Sequence, residues 1–382
     1  MRRHDLDWLR VIVFTLLIFY HVGMFFVPWG FHIKNNYTYD WLTFPMWFLN
    51  QWRLPILFII SGMGTFYALQ KRSGKQFVLE RIKRLFIPLV FGMLLVIPPQ
   101  VYIERIAKNQ FTGNYFDFWP NKAFIGTYPA GNLSWHHLWF LPYLLLFSLV
   151  LIPVFIYLKN HTSGNFNSWL RRIVKNPLRI YLFIVPLYLA EALIEPFFEI
   201  THALIGDWFT IINYIIMFLF GFLLITVKDT FWVTVEKHRN LFLIAGLVCF
   251  SIMLFIVETY EDSIYRHFTE AFLKVTNLWS WILALFGFAS KYLNKKSNIL
   301  TYCNEAVYPF YILHQTIMMV IAYYVMNLEW SLGLKAFIMI VGTFGFSWLI
   351  YESLVRRWKY MRPFFGLKKK DSMQGTNRQQ HV

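Results

Sequence analysis

The sequence predicts an all-α, polytopic membrane protein of about ten transmembrane helices, with both ends in the cytoplasm. Three observations carry that prediction. First, 57% of the 382 residues are hydrophobic, only 15% are charged, and the mean hydropathy is +0.45. Soluble domains carry about a quarter charged residues, and disordered chains need low hydrophobicity, so neither class fits. Second, apolar stretches of roughly 20 residues, long enough to cross a bilayer as a helix, recur along the chain. Third, 28 of the 36 Lys and Arg residues fall in alternate connecting segments, as the positive-inside rule expects.

The apolar stretches are read in order. The first covers about 8–28. It follows Arg2 and Arg3 but is too long for a leader and lacks a small-residue cleavage site, so it reads as a retained span. The second covers 51–69, after an aromatic interfacial stretch from Trp41 to Phe48. The third to seventh cover 85–103, 137–158, 179–198, 208–227 and 240–259. The last three cover 272–291, 303–326 and 332–355. The fifth holds Glu191, Glu195 and Pro186, and the eighth holds Lys274, all at membrane depth. The domain reading is one membrane domain over 1–370 and a polar cytoplasmic tail over 371–382. The outer connection 104–136 is long and mixed, and is expected to cap the acceptor side.

The net charge of +16 could point to an anionic partner such as nucleic acid. Its distribution points instead to orientation in a membrane. The inner segments, including the connections 70–84, 159–179, 228–239 and 291–296, hold the 28 basic residues. The outer eight are Lys34, Arg53, Arg105, Lys108, Lys122, Arg266, Lys274 and Lys335. Cys249 and Cys303 lie in apolar runs and form no disulfide framework or zinc spacing. No metal is expected from that pattern.

Ionisable groups inside spans are costly, and so are candidates for function. His21 lies about 14 residues into the first span, and His314 lies a similar distance into the ninth. Both spans run outward, so the two imidazoles share a depth. Each could simply bond a neighbouring helix. Each could equally move a proton near neutral pH. Arg10 precedes His21 by eleven residues, about 16 Å along a helix. Arg81 and Arg84 are three apart, which places them on one helix face at the inner mouth. These arginines are either anchors or a site for phosphates. Arg53 lies on the outer side. Glu305 could pair with one of the arginines or orient a histidine.

Together these residues resemble the integral membrane acyltransferase family 3. Arg10 and His21 match its Arg-x10-His signature, and Arg81-Ile82-Lys83-Arg84 its Arg-x-x-Arg motif. Phe58-Ile59-Ile60-Ser61-Gly62 resembles its second-span motif. His137-Leu138-Trp139-Phe140-Leu141 and Tyr308 to Gln315 resemble its fourth-span and late-span blocks. Arg53 and the His137 block are similar to the branch of succinyl transferases acting on periplasmic glucans. The resemblance implies that cytosolic acyl-CoA, as acetyl-CoA or succinyl-CoA, is the co-substrate. Arg10, Arg81 and Arg84 would hold its phosphates, and His21 would deprotonate a hydroxyl of an extracytoplasmic glycan or glucan. His314 and Glu305 would assist. Arg53, Ser61, His137 and Trp139 would meet substrate, although Ser61 beside Gly62 could be a helix-packing residue. The implied location is the bacterial cytoplasmic (inner) membrane. The implied partners are the bilayer, the glycan acceptor, and either a second copy or other glycan-biosynthesis proteins, without nucleic acid. A secondary transporter or flippase of a glycan or glycolipid is the competing reading. It expects paired Gly/Pro-broken helices, which the two halves do not show.

Overall fold

The fold was obtained as a computed structural model, described here for residues 3–161 and 164–369. The tail expected over 371–382 lies outside the described residues. Nine helices among the described residues are long and apolar enough to cross a membrane, or ten if one bent pair is a single span. Apart from an isolated bridge between Thr127 and Leu133, the described residues hold no strand. The protein is an all-α, multi-pass membrane protein.

The helices are named in chain order. They are α1 (His4–Phe26), α2 (Thr43–Gln70), α3 (Gly74–Ala107), α4 (Tyr115–Asn121), α5 (Phe140–Val150) and α6 (Ile152–Asn160). Then follow α7 (Asn165–Lys175), α8 (Ile184–Leu193), α9 (Trp208–Thr226), α10 (Lys228–Thr259), α11 (Ile264–Tyr292), α12 (Asn298–Val325) and α13 (Leu332–Ile350). The fourth span bends by 52° where α5 meets α6. Pro153 opens α6, and a proline inside a helix has no N–H to give the preceding turn.

Several connections expected from sequence are helical. Residues 228–239 form the first third of α10, with a kink at His238. Phe231, Trp232 and Val235 are buried there at helical spacing, so packing overrides the charge that marked a loop. The stretch from Trp41 to Phe48 runs into α2. Phe48 packs edge-on against Trp281 of α11, with ring centroids 4.7 Å apart.

The chain divides into two compact units. The first comprises Met1–Val13, Trp47–Val78 and Leu146–Leu300. Within it, the charges at membrane depth in the fifth and eighth spans pair with each other. The Lys274 ammonium donates to the Glu191 carboxylate. An unpaired charge at that depth would be far more costly. Gly62 of α2 faces the Phe218 carbonyl of α9, and Gly221 of α9 faces the Ile59 carbonyl of α2. Two glycines therefore let the helix backbones touch, the usual means of helix association in lipid. The second unit comprises Phe14–Met46, Leu79–Leu145 and Thr301–Val382. Its core packs Val22, Phe25 and Phe26 of α1 against Met318, Met319 and Ala322 of α12.

Structural roles account for most of the basic residues expected on the outer side. Lys34 donates to the Met24 and Val27 carbonyls at the end of α1. Arg105 donates to Asn132, Gln110 and the Pro129 and Gly131 carbonyls, which holds the 108–135 connection. Lys335 donates to Asn35 and the Met326 carbonyl, and Arg266 pairs with Asp262. These lysines and arginines hold the fold, which frees them from the orientation rule.

Candidate active site

The second unit contains the two membrane-depth histidines, and it brings them together. His21 Nδ1 lies 2.8 Å from His314 Nε2, with the rings nearly parallel at 4°. His314 is fully buried, while His21 is half-buried.

The helix carrying His314 fixes its tautomer. His314 Nδ1 lies 2.8 Å from the Tyr311 carbonyl and 3.2 Å from the Phe310 carbonyl, both in the preceding turn. A carbonyl oxygen can only accept, so Nδ1 carries the proton. In neutral His314, Nε2 is then bare and accepts from His21 Nδ1–H. Neutral His21 is left with its electron pair on Nε2. The arrangement orients His21 as a base and shares the charge once it is protonated. This is the logic of a base held by a third group, with an imidazole in place of a carboxylate.

A polar network continues from the pair. His137 meets His314 edge-on, with centroids 5.0 Å apart. Its Nε2 donates to the Ile312 carbonyl at 3.1 Å, and its Nδ1 faces the Gln100 amide at 3.4 Å. Gln100 donates to Thr316 at 2.6 Å and accepts from Gln315 at 3.2 Å. Tyr311 donates to the His137 carbonyl at 2.7 Å. His137 is therefore buried among protein partners. Trp139, likewise expected to meet the sugar, is buried edge-on against Tyr143. Sequence reading missed Gln100 and Thr316, while Tyr311 belongs to the late-span block. Gln100 follows two prolines inside an apolar run, and a buried amide there was the available signal.

Residues 3–352 match the family model described as an acyltransferase domain. The chain belongs to the integral membrane acyltransferase family 3. Among curated relatives, it is 24% identical over 167 residues to Glucans biosynthesis protein C of Escherichia coli (strain SMS-3-5 / SECEC), covering 43% of this chain and 42% of the relative. It is 26% identical over 220 residues to the protein of that name from Salmonella paratyphi B, covering 56% and 54%. The chain thus spans about half the length of the curated relatives it matches. No solved structure matches it.

The remaining residues of the acyltransferase family motifs fall as follows. Arg10 belongs to the first unit, where Asp7 Oδ1 lies 3.4 Å from its Nη1. Arg81 and Arg84 belong to the second unit. Arg81 ends an α-helical segment, whereas Arg84 lies in the π-helical turn Ile82–Phe86. The wider turn rotates Arg84 off the position that α-helical spacing gives it, so the expected common face does not follow from a spacing of three. The Arg84 side chain is 49% exposed, with Glu80 3.8 Å away. Its backbone carbonyl accepts from Tyr308 at 2.8 Å. Glu305 pairs with Arg362 at 3.0 Å and accepts from Tyr351 at 3.1 Å. Its partner is thus a basic residue beyond the tenth span. In the first unit, Ser61 donates to the Leu57 carbonyl of its own helix at 2.7 Å, next to the Gly62 contact. That geometry fits helix packing. Arg53 is only 2% exposed there.

On the expected outer side of the second unit, Arg105, Lys122, Asn132 and Phe111 help line a concavity of about 490 Å³. Beside it, Tyr128 donates to both oxygens of Glu104, at 3.0 and 3.3 Å. Burial, and then the Glu104 charge, push the Tyr128 phenol well above its ordinary value, so it stays a donor at neutral pH.

Proposed function

We propose that this protein transfers an acyl group, acetyl or succinyl, from cytosolic acyl-CoA to a hydroxyl of an extracytoplasmic glucan at the bacterial inner membrane. The observation that carries the reading is the His21–His314 pair, whose tautomers leave the His21 Nε2 electron pair as the base. The two relatives, both called Glucans biosynthesis protein C, support a glucan as acceptor. The polar, aromatic and basic concavity at the 104–136 connection suits a sugar chain that carries an anionic substituent.

In this mechanism His21 removes the proton of the acceptor hydroxyl as the oxygen attacks the thioester carbonyl. The carbon–oxygen bond forms, the carbon–sulfur bond breaks, and the proton on His21 returns to the departing thiolate. His314 shares the imidazolium charge through its Nε2 while its own Nδ1–H keeps donating to the Tyr311 carbonyl. In the second unit, Arg81 and Arg84 hold phosphates of the coenzyme through their guanidinium forks.

Two outcomes test this reading. Mass spectrometry of periplasmic glucans from a strain lacking the gene should show loss of one substituent, whose mass names the acyl group. Unmodified and wild-type spectra that coincide would remove the glucan as acceptor. Separately, Arg84→Ala should raise the apparent KM for acyl-CoA by roughly tenfold, the loss of one exposed charge-assisted contact, with kcat little changed. An unaltered KM would make Arg84 an anchor only.

A further inference from the structure

A second cluster of chemistry-bearing side chains lies in the second unit, apart from the histidine pair. His32, Glu104 and His136 each present one ligand atom, all within 4.8 Å of one another. They come from three separate stretches: the segment after α1, the last turn of α3, and the turn leading into α5. His32 Nδ1 lies 2.8 Å from Glu104 Oε2, and the His32 and His136 rings lie 4.3 Å apart.

The details are those of a binding site. His136 is only 9% exposed, and its Nε2 is buried without a hydrogen-bond partner. A buried polar atom left so costs about 1–3 kcal/mol, unless something else satisfies it. Its Nδ1 lies 2.9 Å from Ser134 Oγ. With the proton on Nδ1, Ser134 accepts it and Nε2 is free to ligate. That is the outer-shell partner that metal-bound histidines usually have. His136 also holds a φ of +39°, sparsely populated for a residue with a side chain. Glu104 divides its oxygens. Oε1 accepts from Lys108 at 2.6 Å, while Oε2 faces His32. Tyr128 donates to the same carboxylate and fixes its plane.

We propose that His32 Nδ1, Glu104 Oε2 and His136 Nε2 bind a divalent transition-metal ion of the zinc type. Two imidazoles and one carboxylate suit such an ion better than magnesium or calcium, which take oxygen ligands. Three protein ligands leave a fourth position for water or an oxygen of a bound molecule. Binding replaces the His32–Glu104 hydrogen bond, and His32 ligates as the neutral tautomer: the Nδ1 proton leaves and Nε2 carries one instead. The ion would tie the 27–39 segment to α3 and to the turn before α5. This revises the expectation of no metal, and it does not depend on the acyl-transfer reading.

The test uses tag-free, full-length protein in detergent, stripped with chelator, incubated with zinc and dialysed. Metal analysis should find about one zinc per chain. Cobalt added to the stripped protein should give the visible absorption of a four- or five-coordinate ion. His136→Ala and His32→Ala should lose both signals, and Glu104→Gln should weaken zinc binding by about 10- to 100-fold. Wild-type protein that holds no zinc after dialysis and gives no cobalt spectrum overturns the site, whatever the variants do. So does zinc retained equally by His32→Ala and His136→Ala.

Discussion

Replacing His21 with alanine should lower kcat for acyl transfer by about 10²–10⁴-fold, the usual contribution of a positioned general base. The KM for the acyl donor should change little, because the base acts on the acceptor hydroxyl. His314→Ala should cost less. It removes the group that fixes the His21 tautomer at 2.8 Å, but not the electron pair that takes the proton. The double variant should be no slower than His21→Ala alone, since the two rings act as one unit and such losses do not add. His314→Gln offers a sharper probe. A glutamine carbonyl can still accept from His21 Nδ1–H, so part of the activity should return. Steady-state rates for the four proteins decide the matter. Additive losses would mean that the imidazoles serve separate roles.

The second large effect concerns the fold of the first unit. Gly62→Ala and Gly221→Ala should each destabilise the protein by about 3 kcal/mol or more, the upper range of overpacking. A Cβ at either position would lie 2.0 Å from a backbone carbonyl oxygen of the facing helix. Backbone cannot swing aside as a flexible side chain can, so α2 and α9 must separate along the crossing. Larger residues at these positions should prevent accumulation of folded protein. Gly64→Ala supplies the contrast. It lies two residues away in α2, and a Cβ there meets nothing within 4 Å. The better helix propensity of alanine should leave stability unchanged or raise it by about 0.5–1 kcal/mol. Thermal unfolding in detergent, followed by size-exclusion fluorescence, separates the three. A Gly62→Ala protein as stable as Gly64→Ala would contradict the crossing.

The sequence made the spans legible because each is a long apolar run, and the basic residues between them alternate. It also marked His21 and His314, since an imidazole inside such a run stands out. What it could not carry was pairing at a distance. Glu191 and Lys274 weakened two spans when read singly, yet they neutralise each other across 83 residues. Glu305 pairs with Arg362, 57 residues on and behind a tenth span, a partner that spacing does not point to. The outer lysines and arginines broke the charge rule for reasons visible only as contacts, such as Lys34 on the carbonyls at the end of α1. Residues 228–239 carry the charge of a loop, yet the buried spacing of Phe231, Trp232 and Val235 makes them helix. The relative facing of Arg81 and Arg84 does not follow from 3.6 residues per turn, because Arg84 lies in a π-helical turn. His32, Glu104 and His136 show no metal spacing in sequence, because three separate stretches supply them.

In the proposed reaction an acyl group passes from a cytosolic thioester to an extracytoplasmic hydroxyl through the histidine pair. Proteoliposomes with linear glucan sealed inside and acyl-labelled succinyl-CoA or acetyl-CoA outside test it in one measurement. Wild-type protein should put label on the enclosed glucan, and His21→Ala should put none there above background. Label that stays on the coenzyme with both donors, or reaches the glucan equally with His21→Ala, would contradict it.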